Sequence, residues 1–62
     1  NDQARIENKI LERLSVKPYP RRILQQIFGG NCRAKQFNDA LDALMKAERV
    51  TLDPKRNIQL IS

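Results

Sequence analysis

Residues 20–50, PRRILQQIFGGNCRAKQFNDALDALMKAERV, decide the fold. Ile23, Leu24, Ile27 and Phe28 recur at helical spacing before Gly29 and Gly30, and Ala34, Phe37, Leu41 and Leu44 recur after them. The pattern is two amphipathic helices about a tight turn, a helix-turn-helix. A Gly pair can take the positive φ that closes the first of these helices, and Asn31 is placed to cap the free N–H groups of the second. The spacing predicts helices over 20–28 and 32–48, the latter being the structural spine.

Outward from this stretch, Pro18 and Pro20 push Lys17 and Tyr19 toward extended geometry, so 16–20 reads as a linker or a very short strand. Pro20 suits the first turn of the helix that follows, where its missing N–H would have no partner anyway. Before the linker, Ile6, Ile10, Leu11 and Leu14 share one face of a helix over 3–15, with Arg5, Lys9, Glu12 and Arg13 elsewhere and Asn1 or Asp2 as its cap. On the other side, Val50, Leu52, Ile58 and Leu60 alternate with Thr51 and Gln59 around Asp53-Pro54-Lys55-Arg56-Asn57. Asp and Pro at the first two positions suit a type I turn, and Asn57 tolerates the left-handed conformation that closes such a loop. The expected fold is mainly α with a small β-hairpin, one domain over residues 1–62.

At 62 residues the chain is near the lower size limit, where about 60% of the unfolded surface can be buried, so marginal stability is expected. It starts without Met and has no signal-like apolar run, and we read it as a domain of a longer protein. No apolar run approaches the roughly 20 residues of a membrane span. One cysteine and no histidine exclude an internal disulfide and argue against a protein-only zinc site, and a cytoplasmic location is the expectation. With no Gly-rich phosphate loop, metal-ligand cluster or paired carboxylates in an apolar setting, neither an enzyme nor a cofactor is expected. Twelve Lys and Arg against seven Asp and Glu give a net charge of +5, which favours a polyanionic partner.

Three helices followed by a hairpin, with Phe37-x-x-x-Leu41-x-x-Leu44 leading into Val50, resemble the winged-helix family over nearly the whole chain. The resemblance implies a three-helix core with a C-terminal wing that binds duplex DNA, the third helix in the major groove and the wing near a phosphate backbone or minor groove. It also implies an alternative, because a substantial minority of such domains are protein-interaction modules. Glu48 departs from the pattern, standing where the family commonly has the Gly that ends the third helix.

On the predicted third helix, Cys32, Lys35, Gln36, Asp39, Asp42, Ala43 and Lys46 point away from the core side. Lys35 and Gln36 lie in the first turns, where Lys can donate to guanine and Gln can pair with adenine; the competing reading is a solvated face of good helix formers. Asp39 and Asp42 repel phosphates and argue for a shallower approach by the helix start, where the N–H groups of Asn31, Cys32 and Arg33 suit a phosphate. Arg21 and Arg22 open a helix where cations oppose its dipole, so each either contacts phosphate or lays its stem on apolar surface and pairs with Glu7 or Glu12. Lys55 and Arg56 stand beside Asn57 at the wing tip, suited to the backbone or a minor groove. Tyr19 reads as a packing residue and Cys32 as a small helix-start residue with nothing to activate it. The candidate nucleic-acid-binding set is Arg21, Arg22, Asn31, Arg33, Lys35, Gln36, Lys55, Arg56 and Asn57. Expected partners are double-stranded DNA and other domains of a larger replication, mobilisation or regulatory protein, transcription regulation included, with no membrane.

Overall fold

The computed structural model describes residues 2–30 and 32–61. Its order is α1 (Asp2–Leu14), β1 (Tyr19–Pro20), α2 (Arg21–Phe28), α3 (Ala34–Lys46), β2 (Val50–Leu52) and β3 (Asn57–Leu60). The chain is therefore mainly helical with a small antiparallel sheet, an arrangement compatible with a helix-turn-helix followed by a wing. The sheet has three strands in the order β1-β3-β2, so the stretch between the prolines is a strand that extends the hairpin. No helix among the described residues is long and apolar enough to cross a membrane.

The core gathers Ile6, Ile10 and Leu14 from α1, Leu24 and Phe28 from α2, Phe37, Ala40, Leu41 and Leu44 from α3, and Val50 and Ile58 from the hairpin. Phe37, 1% exposed, stacks on Phe28 with ring centroids 5.8 Å apart. The pair joins the two helices of the helix-turn-helix by a contact worth about 0.5–1.5 kcal/mol beyond simple burial. Among the described residues no polar or charged side chain is buried. Ala34 differs from the sequence expectation: it is exposed at the first position of α3, and Ala40 takes the core place, because Phe37, Ala40, Leu41 and Leu44 form a tighter arc on the wheel. Leu52 is also 52% exposed, at the outer end of the edge strand β2. Tyr19 is half-buried against the core with the Lys17 ammonium 5.2 Å from its ring centroid, in keeping with a packing role.

The element ends carry most of the other corrections. Pro20 is the residue before α2 rather than within it, with φ −64° and ψ 146°, because it is paired in the sheet. Neither Gly29 nor Gly30 has positive φ; Gly29 continues the right-handed turn at φ −61°, and its N–H bonds the Gln26 carbonyl at 3.3 Å. A side chain at Gly29 would sit 3.3 Å from the Gln25 carbonyl oxygen, whereas one at Gly30 would meet nothing within 4 Å. Asn31, expected to cap α3, lies outside the described residues. The residue preceding α3 is Arg33, and Cys32 is half-buried rather than outward, its thiol 3.6 Å from the Phe28 carbonyl oxygen.

Positive φ appears instead at Glu48 (58°) and Arg56 (64°). At the end of α3 the Arg49 N–H bonds the Leu44 carbonyl at 2.9 Å and the Glu48 N–H bonds that of Met45 at 3.0 Å. This double closure places its left-handed residue one past the cap, at Glu48, the position where the resemblance implied glycine. In the hairpin the left-handed residue is Arg56, not Asn57, which is the first residue of β3.

Three stability outcomes follow. Phe37→Ala should cost about 3–5 kcal/mol, enough to unfold a domain of about 5 kcal/mol total stability, as a thermal melt reads directly. Glu48→Gly should stabilise by about 1 kcal/mol and raise the melting temperature by about 4–8 °C, since glycine takes the left-handed conformation without cost. Gly30→Ala, at negative φ with free space, should be neutral or stabilising by up to about 1 kcal/mol; a large loss would mean a left-handed turn after α2.

Candidate nucleic-acid interface

The candidate cations are brought together by a strand pairing. Tyr19 pairs with Ile58 and Pro20 with Asn57, so α2 leaves the sheet alongside the first residue of β3. Arg21 and Arg22, the first two residues of α2 and both exposed, therefore start beside the hairpin loop that ends at Asn57. Asn57 itself is half-buried and serves the ladder rather than the tip.

Between β2 and β3 lie residues 53–56, and the hydrogen-bonded pair Asp53 and Asn57 closes a three-residue loop of Pro54, Lys55 and Arg56. The Asp53 N–H donates to the Asn57 carbonyl and the Arg56 N–H to the Asp53 carbonyl, both at 2.9 Å. The Asp53 carboxylate also accepts from the backbone N–H groups of Lys55, at 2.9 Å, and Asn57, at 2.7 Å. A type I turn followed by a left-handed residue is the usual form of this loop, and it leaves the Lys55 and Arg56 side chains exposed at the tip. The turn expected to open at Asp53-Pro54 is thus present, and the Asp53 carboxylate closes it along with its backbone.

At the start of α3, Gln36 turns back and its Oε1 accepts from the Arg33 N–H at 3.0 Å. The Arg33 side chain has no acceptor with which to complete a reciprocal capping box, so Gln36 alone ties this end. To pair bidentately with adenine, Gln36 would have to share or give up that oxygen. Gln36 and Asp39 also border a groove of about 210 Å³ with Gln3 and Ile6 of α1, which sets them on the α1 side of α3.

The α2 side of α3 is different. There the Arg21 guanidinium Nη2 donates to Asn38 Oδ1 at 2.8 Å and stands 4.0 Å from Asp42 Oδ1. Arg21 thus pairs with α3 and not with Glu7 or Glu12; Glu7 accepts from Gln3 instead, at 3.0 Å. Asn38 is a site residue the sequence reading missed, and its signal was the i, i+4 spacing to Asp42. The outward face of α3 is accordingly split between a capping edge and an edge engaged with α2.

The structure therefore joins the start of α2 to the loop and to the middle of α3. Lys35, exposed, lies one turn before Asn38. Asn31 is again outside the described residues. A groove of about 350 Å³ lies elsewhere, between α1 and the end of α2, lined by Lys9, Glu12, Arg13, Val16, Ile27 and Phe28. Among the described residues no group of three or more His, Cys, Asp or Glu is assembled. No family model matches the chain, no curated protein matches its sequence, and no solved structure matches its fold.

Proposed function

We propose that the chain is a winged-helix domain that binds duplex DNA by its sugar–phosphate backbone, within a larger replication, mobilisation or regulatory protein. The observation that carries this reading is the pairing of Pro20 with Asn57, which sets Arg21 and Arg22 beside the loop bearing Lys55 and Arg56. Cations at the start of α2 and in the neighbouring hairpin loop, with Lys35 at the start of α3, are read as one basic surface. The net charge of +5 supplies long-range attraction to it. The chemistry is electrostatic and hydrogen-bonding: the Arg22 guanidinium at the helix start, the Lys35 ammonium, and the Lys55 ammonium and Arg56 guanidinium at the tip meet phosphate oxygens.

A second reading is favoured by one observation. Lys35, Asp39, Asp42 and Lys46 on the exposed side of α3 sum to zero charge, which suits a protein partner better than a polyanion. On that reading the domain docks on protein, and Asp39 and Asp42 make the contact.

Titration of the domain with a duplex at several salt concentrations separates the two. If Arg22, Lys35, Lys55 and Arg56 each neutralise one phosphate, log affinity should fall against log salt with a slope near −3.6, a roughly hundredfold loss between about 50 and 200 mM. Replacing Lys55 and Arg56 together by Ala should reduce the slope by about 1.8 and leave the melting temperature nearly unchanged, since both side chains are exposed. Absence of binding at low salt would reject the nucleic-acid reading.

A further inference from the structure

The outer stripe of α3 is electrically closed, and the closure is built jointly with α2. Lys35, Asp39, Asp42 and Lys46 succeed one another at spacings of four, three and four residues, so they lie in one exposed row. The acids occupy its middle. Asn38 and Asp42, one turn apart, present two oxygens to the Arg21 guanidinium, at 2.8 and 4.0 Å. The cation nearest the centre of α3 is thus turned along the protein surface and paired.

We propose that this clasp sets the mode of binding: Asp39 and Asp42 keep α3 beyond its first turn out of a nucleic-acid groove. The domain then grips one sugar–phosphate strand through the start of α2, the first turn of α3 and the hairpin loop, without base readout. The inference rests on the nucleic-acid reading above and specifies how that surface is used. A groove is flanked by phosphates on both sides, and a carboxylate there gains only where it accepts from a cytosine amino group. A phosphate within hydrogen-bonding reach of Arg21 is also well within the Debye length of Asp42, about 10 Å at 0.1 M salt, so the carboxylate subtracts directly from the attraction. Sequence preference is lost with the groove contact, while backbone affinity is retained at the tip.

The test compares the wild-type domain with Asp39→Asn/Asp42→Asn and with Asp39→Asn alone. Each is titrated against two 16-base-pair duplexes of unrelated sequence at about 50 and 200 mM salt, with backbone amide shifts followed. The wild type should bind both duplexes equally, with shifts at 21–22, 33–36 and 55–57 and none along 39–46. The double variant keeps an acceptor for Arg21 but raises the net charge by two, from +5 to +7. It should bind roughly five- to tenfold more tightly at low salt, with a slope steeper by about 0.9 because the Arg21 charge is no longer offset by the Asp42 carboxylate and counts toward phosphate neutralisation. Asp39→Asn, which leaves the clasp intact, should tighten binding by a smaller factor with the slope unchanged. Equal affinity and slope in the double variant and the wild type would overturn the proposal, as would wild-type shifts concentrated along 39–46 or a strong preference for one duplex. A wild-type domain that binds neither duplex at 50 mM salt would overturn the nucleic-acid reading, and this inference with it.

Discussion

Burial of Phe37 against Phe28 is the contact on which the rest of the structure depends. A chain of this size has room for one apolar cluster, and every helix and the hairpin contribute to it. α2, at eight residues, is too short to persist alone and owes its existence to that cluster. Among the described residues the core holds no polar or charged side chain, so it is held together by apolar packing alone.

The pairing of Tyr19 and Pro20 with Ile58 and Asn57 is the second constraint, and it fixes the start of α2 against the hairpin. Two residues of strand would be negligible in isolation. Here they join the start of α2 to the hairpin, so backbone segments separated by more than thirty positions in the chain become neighbours. Pro at the end of an edge strand costs no ladder bond that the sheet needs, and its φ suits the turn into the helix. The strand thereby serves as both brace and helix start.

Backbone strain is concentrated at the two bends around the hairpin. Glu48 and Arg56 both hold a left-handed conformation that glycine would take more cheaply. Glu48 is exposed and ends α3, and nothing in the structure explains a charged side chain there. Arg56 is different on the nucleic-acid reading, because a glycine in its place would relieve the loop but remove a cation from the tip.

Much was legible in the sequence because it depends on local physics. Helical spacing of Ile6, Ile10 and Leu14, and of Phe37, Leu41 and Leu44, marks α1 and α3 whatever surrounds them, and the Asp-Pro turn between alternating residues marks the hairpin. Composition likewise revealed the surplus of cations, twelve Lys and Arg against seven Asp and Glu. The tertiary structure decided what depends on distant neighbours. Whether the stretch between the prolines was a linker or a strand turned on β3 being there to pair with it. The partner of Arg21 was Asp42 with Asn38 rather than a glutamate of α1, because the crossing of α2 and α3 sets which face is within reach. Which residue takes positive φ was settled by the closing hydrogen bonds at each bend, and these chose Glu48 and Arg56 over the glycines and Asn57. Periodicity identifies the elements because each helix or strand repeats by its own geometry, whereas the contacts between elements follow from how they cross, which no local pattern encodes.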